Sequence, residues 1–315
     1  MVIDIPKTAY SGKIREIKLG KGEKSVTVGA ETCYPFYLFE GEMPNLPKIA
    51  MEVYDSPPED WPEAALEPFA GVVDDPVAWA NKCIKEYGAD MICLQLLSTD
   101  TNGLDRGADE AAKVVKKVAD AIDVPLIAWG TANHEKDTEV LRTVAETCQG
   151  KNLIIGPVEE EDHKKIGAAA IGYQHTTTAS TPIDINLAKQ LNILLGNLGV
   201  SDELLIMDPT VSGLGYGIEY CYSVMERMRM AALVQQDDKL QVPIICNISK
   251  EVWKSKESKI PESEAPELGD AKKRGILMEA ISAMVLLLAG ADVLVMRHPE
   301  AIKLIREMIA DLTAS

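Results

Sequence analysis

Short apolar runs alternate with amphipathic stretches along most of the chain, the pattern of βα units around a parallel sheet. Eight runs read as strands, over 48–54, 91–97, 125–129, 153–157, 170–175, 204–207, 243–247 and 292–296. Between and after them the apolar positions recur at helical spacing over 76–87, 109–122, 136–148, 160–166, 183–198, 218–236, 271–289 and 299–311. Eight such units within about 265 residues match the length of an α/β (β/α)8 TIM barrel, whereas an open doubly wound sheet usually stops sooner. The phrases YGADMICLQ and AGADVLVMR support the register, because Gly88 and Gly290 each close a helix just before a strand.

Upstream of the eight units, KIREIKLGKGEKSVTVG reads as two strands about the turn Gly20–Gly22. The expected organisation is an N-terminal β-hairpin extension over 1–46, covering the bottom of the barrel, and the TIM barrel over 47–315.

In such barrels chemistry sits on the loops that follow the strands' C-terminal ends. The loop over 55–75 is rich in proline and is expected to be ordered without helix. The others bring Thr99 and Asn102, then Asn133, then His175 and Thr176, then Asp208 and Thr210 with Gly213, Gly215 and Tyr216, then Asn247 and a charged run from 249 to 270, and last Arg297. This rim is rich in hydroxyls and amides. It has no strand lysine for a Schiff base and no Cys–His or Ser–His–Asp order, so no catalytic residue is assigned. Ser180 or Thr181 before Pro182, and His298 before Pro299, fit helix caps as well as ligand contacts. The charged run reads equally as a solvated mobile loop or a docking surface.

The 315 residues carry 32 Lys and Arg against 49 Asp and Glu, a formal charge of −17, which argues against nucleic acid or an anionic membrane as partner. The start lacks a signal pattern and the apolar stretch over 280–291 is too short to cross a bilayer, so a cytoplasmic location is expected. Six dispersed cysteines, without a CxxC pair, read as small core residues and not as iron–sulfur or zinc ligands. The four histidines show no i, i+4 pair and no carboxylate at ligand spacing, so no metal site is expected. Gly213-Leu-Gly-Tyr-Gly217 misses the GxGxxG spacing and reads as a ligand-facing or strand-to-helix turn. Asp162-His163-Lys-Lys-Ile-Gly167 has DHxxxG spacing, where cobalamin domains carry DxHxxG, and reads as a solvated first helical turn.

The strings MEVYDSPPEDWPEAALEPF, ADMICLQLLSTDTNG, QHTTTASTPIDINLAKQLNILL, LLIMDPTVSGLGYGIEYCYSVMERMRMAAL and PIICNISKEVWKSKES together span nearly the whole chain. In them the chain resembles the small (delta-type) subunit of the corrinoid iron–sulfur protein of acetyl-CoA synthesis. The resemblance implies a heterodimer whose large subunit carries the corrinoid and the [4Fe–4S] cluster, leaving no cluster in this chain. It implies a methyl carrier whose corrinoid cobalt accepts a methyl group from methyltetrahydrofolate, docking in turn with the methyltetrahydrofolate methyltransferase and with acetyl-CoA synthase. The barrel mouth would cap the corrinoid, and the rim residues Thr99, Asn102, Asn133, His175, Thr176, Asp208, Thr210, Gly213, Gly215, Tyr216, Asn247 and Arg297 become its candidate contacts. The alternative is a pterin-binding methyltransferase barrel acting on methyltetrahydrofolate itself, because Asp208 and Asn247 are similar to the strand-end Asp and Asn of such enzymes.

Overall fold

The computed structural model describes residues 5–211, 214 and 217–314. Two short strands, β1 (Ile17–Leu19) and β2 (Val26–Val28), pair antiparallel as a hairpin. Eight further strands follow: β3 (Lys48–Tyr54), β4 (Met91–Gln95), β5 (Leu126–Trp129), β6 (Ile154–Val158), β7 (Thr176–Ser180), β8 (Leu205–Asp208), β9 (Ile245–Asn247) and β10 (Val293–Met296). All pair in parallel in the order β8-β7-β6-β5-β4-β3-β10-β9, and a parallel bridge from Met207 to Ile244 brings the two ends together. The result is the expected eight-stranded TIM barrel with a terminal hairpin.

The helices, in chain order, are α1 (Glu63–Leu66), α2 (Pro76–Lys85), α3 (Ala108–Ala121), α4 (His134–Thr147), α5 (His163–Tyr173), α6 (Ile185–Leu198), α7 (Ile218–Leu233), α8 (Ser249–Lys254), α9 (Lys256–Lys259), α10 (Ala271–Ala289) and α11 (Pro299–Thr313). The apolar side of α3, with Ala111, Ala112, Val115 and Val118 buried, shows why an i, i+3, i+4 pattern packs a helix onto a sheet. Aspartates 75, 184 and 270 cap α2, α6 and α10, each accepting from backbone N–H groups in the first turn.

The barrel has two cores. Most buried apolar side chains form the layer between strands and helices. A smaller cluster fills the interior, where Ile17, Leu19 and Val28 of the hairpin pack with Ala50, Met91, Ile127, Ile154, Ile206, Ile245 and Val293. Lys21 donates to the carbonyl of Gly150 and Asn152 to that of Gly20, while a Cβ on Gly20, at φ +77°, would meet Pro125 at 2.6 Å. These partners lie just ahead of β6 and β5, so the hairpin sits against the N-terminal ends of the strands.

Three local expectations are corrected. The run over 170–175 is not a strand; it completes α5, which ends where Gln174 turns to φ 63°, and the strand is Thr176–Ser180. Helix α6 starts at Ile185 with Asp184 as its cap, so neither Ser180 nor Thr181 caps it, whereas His298 does accept from Glu300 at the start of α11. The proline-rich stretch contains α1, and the charged run folds into α8 and α9 with Val252, Trp253 and Ser258 buried.

Candidate functional site

At the C-terminal ends of the strands lies a cleft of about 220 Å³, lined by Gln95, Trp129, Gly130, Thr131, Pro157, Glu159, Ser180, Asp208, Thr210, Asn247 and Lys250 among others. Its lining takes the last residues of five strands, β4, β5, β7, β8 and β9.

Asp208 closes β8 and is buried. Its carboxyl accepts from Ser180 Oγ at 2.9 Å and from the backbone N–H of Thr210 at 3.0 Å. Burial outweighs these hydrogen bonds and pushes its pKa up to about 7. Thr210 sits at φ 52° and donates its hydroxyl to the carbonyl of Thr181 at 2.6 Å, pinning the turn that leaves β8. Asn247 closes β9 and its Oδ1 accepts from Gln95 Nε2 at 3.2 Å.

Beneath the mouth, a polar chain continues inward. Gln95 Nε2 also donates to Glu52 Oε1 at 3.1 Å, and Glu52 Oε2 accepts from Arg297 Nε at 2.7 Å. The guanidinium donates to Tyr54 Oη at 2.9 Å and lies 3.5 Å from the centre of a Trp61 ring. Glu52 is fully enclosed and Arg297 is 2% exposed, so this ion pair is a buried one, completed by hydrogen bonds at both ends. Nearby, Glu279 accepts from Trp253 Nε1 and from the backbone of His298, and burial raises its pKa to about 7.

A second depression, of about 760 Å³, is lined by Tyr54, Ser56, Pro57, Asp60, Asp100, Asn102 and Leu104 and shares Lys250 with the cleft. The mouth is therefore two adjoining concavities.

The expected site residues divide sharply. Asp208, Thr210 and Asn247 meet in the cleft, and Asn102 lies exposed in the adjoining depression. Asn133 spends its side chain on capping α4, accepting from Lys136 N at 3.1 Å. Thr99 is wholly enclosed with its hydroxyl on the carbonyl of Leu96, and Arg297 points into the barrel, so neither reaches a rim ligand. His175 and Thr176 are corrected most strongly: His175 immediately precedes β7 and Thr176 opens it, so both lie at the opposite end of the barrel. His175 accepts from Leu153 N at 3.0 Å and donates to the carbonyl of Ala145, and Thr176 donates to Asn152 at 3.2 Å. Their displacement follows directly from the misplaced strand over 170–175. Gly213, Gly215 and Tyr216 lie outside the described residues. His163 is buried with Nδ1 on the carbonyl of Glu160, so the Asp162-His163 turn is not solvated.

Ser180, weighed from sequence as a helix cap or a ligand contact, lines the cleft, whereas Gln95, Glu52 and Lys250 were not singled out from sequence. A signal existed for two of them: Glu52 and Gln95 are polar residues inside the otherwise apolar strands KIAMEVY and MICLQ.

The family described as CO dehydrogenase/acetyl-CoA synthase delta subunit matches residues 16–312 of this chain. The acetyl-CoA decarbonylase/synthase complex subunit delta of Methanothermobacter thermautotrophicus is 35% identical over 305 residues, covering 96% of this chain and 77% of that protein. The subunit delta of Archaeoglobus fulgidus is 36% identical over 318 residues, covering 97% and 70%. Among solved structures, the 7,8-dihydropteroate synthase of Vibrio fischeri aligns with a TM-score of 0.59 at 13% identity, covering 88% of this chain and 96% of the other. A dihydropteroate synthase of Coxiella burnetii aligns at 0.56 and 14%, covering 95% and 98%. At that identity the likeness is one of barrel fold.

Proposed function

The chain belongs to the CO dehydrogenase/acetyl-CoA synthase delta subunit family, and from that premise we propose that it is the small subunit of a corrinoid iron–sulfur methyl carrier whose barrel mouth covers one face of a corrinoid held by a large subunit. The observation that carries the reading is the double concavity of the mouth. A cleft of about 220 Å³ lies below the roughly 300 Å³ at which pockets for drug-sized ligands begin, so it cannot engulf a corrin. The broader depression beside it, open and polar at Ser56, Asp100 and Asn102, offers hydrogen-bond partners to the amide side chains around a corrin ring.

The corrinoid, when bound, supplies the cobalt that carries the methyl group. The contribution of this chain is to hydrogen-bond the ring's periphery, to exclude water and to move aside when another protein must reach the metal. The large subunit and transient docking with a methyltetrahydrofolate methyltransferase and acetyl-CoA synthase belong to this proposal. The test is the rate at which added cyanide ligates the corrinoid cobalt of the large subunit, followed by absorbance. Adding this chain slows ligation several-fold; an unchanged rate under conditions where the two chains demonstrably bind overturns the reading.

A second reading has one specific observation behind it. Asp208, Asn247, Gln95 and Ser180 converge on a cleft the size of a flat bicyclic heterocycle, which fits the pterin of methyltetrahydrofolate. Calorimetric titration with methyltetrahydrofolate decides it: saturable binding that Asn247→Ala weakens by about 1–3 kcal/mol favours the pterin site, and no heat favours the cap alone.

A further inference from the structure

We propose that His134, Glu159 and Glu161 bind one divalent transition-metal ion at the edge of the barrel mouth. His134 is separated in sequence from Glu159 and Glu161 and is brought to them because the start of α4 and the loop after β6 are neighbours around the rim. Among the described residues they form a group of metal-type side chains whose ligand atoms all lie within 4.8 Å of one another.

The imidazole is already oriented. Its Nδ1 lies 3.2 Å from Asp162 Oδ2, and Asp162 is itself 4% exposed and fixed by accepting from the backbone N–H of Glu159 at 2.8 Å. With Nδ1–H donating to that carboxylate, the lone pair resides on Nε2, the arrangement in which an outer carboxylate sets the tautomer of a metal-bound histidine. Nε2 then faces Glu159 Oε2 and Glu161 Oε2, each at 3.8 Å. That distance is too long for a hydrogen bond to either. It is close to the separation of about 3.0–3.4 Å between donor atoms that share one ion at about 2.1 Å. Glu160, between them in sequence, is drawn away to Gln190 at 3.2 Å, which leaves Glu159 and Glu161 facing Nε2.

One imidazole with two carboxylates suits zinc and its first-row neighbours, whereas calcium and magnesium prefer oxygen alone. Three protein ligands leave coordination positions open, the pattern of sites that engage a further ligand. Glu159 also lines the cleft, so those positions border the space where a bound molecule would sit. The six cysteines are buried and do not compete for added zinc.

The test is zinc titration of the chelator-treated full chain by calorimetry, with the corrinoid subunit absent. The wild type binds about one zinc per chain saturably and prefers it to magnesium. His134→Ala abolishes this binding, Glu161→Gln weakens it at least tenfold, and Asp162→Asn weakens it about 10–100-fold by freeing the ring. Glu161 is exposed, so its variant keeps the apo melting temperature of the wild type and separates lost ligation from lost folding. Absence of saturable zinc binding by the wild type, or binding by His134→Ala and Glu161→Gln equal to wild type, overturns the proposal.

Discussion

Ser180 donates its hydroxyl hydrogen to Asp208 across the β7–β8 pair, Oγ to Oδ2 at 2.9 Å, with both residues buried where their strands end at the cleft floor. Despite that bond, burial holds the Asp208 carboxyl near a pKa of about 7, against 3.8 for an ordinary aspartate. The folded state therefore keeps a proton that the unfolded chain has released above about pH 4, so this group makes stability fall as pH rises from about 4 to about 7. Asp208→Asn removes the titration. Its stability relative to wild type rises across that window by on the order of 2–4 kcal/mol, measured as unfolding free energy in urea at successive pH values. Parallel pH curves for the two proteins would show that Asp208 ionises normally.

The Glu52–Arg297 pair anchors the floor beneath the mouth. Arg297→Met leaves the carboxylate of Glu52 enclosed without its counter-charge and is expected to cost about 3–5 kcal/mol in chemical denaturation. Replacing both residues by apolar side chains restores much of that loss, because the uncompensated charge leaves with its partner. Additive losses in the double variant would mean the two side chains stabilise the barrel independently.

His175 provides a control from the other end of the barrel. Its ring bridges Leu153 N and the carbonyl of Ala145, so His175→Ala is expected to lose about 1–3 kcal/mol of stability from two buried hydrogen bonds. Cyanide ligation of the corrinoid in the two-subunit assembly stays as slow as with wild type, since the substitution is far from the mouth. A faster ligation at equal occupancy would place His175 in the cap.

Runs such as Lys48–Tyr54 and Met91–Gln95 are legible in the sequence because strands buried on both faces are continuously apolar. The same rule misleads at 170–175, where the apolar residues belong to the last turn of α5, with Ile171 exposed, and the true strand TTTAS carries hydroxyls on nearly every residue. The strand-end residues Asp208 and Asn247 were visible as polar stops after apolar runs. The contacts that give the site its character were not, because they join residues 43 positions apart in Gln95–Glu52 and 28 apart in His134–Asp162. Parallel pairing of neighbouring strands, β3 with β4 and β5 with β6, creates those pairs.

The central claim, that the barrel mouth faces the corrinoid subunit, is tested most directly by hydrogen–deuterium exchange of this chain with and without the corrinoid-loaded large subunit. The account predicts that complex formation slows exchange in the rim segments 55–75, 97–106, 130–134 and 249–270, and leaves the hairpin over 17–28 unchanged. Protection confined to the hairpin and the N-terminal ends of the strands, with the rim exchanging as in the free chain, would contradict it.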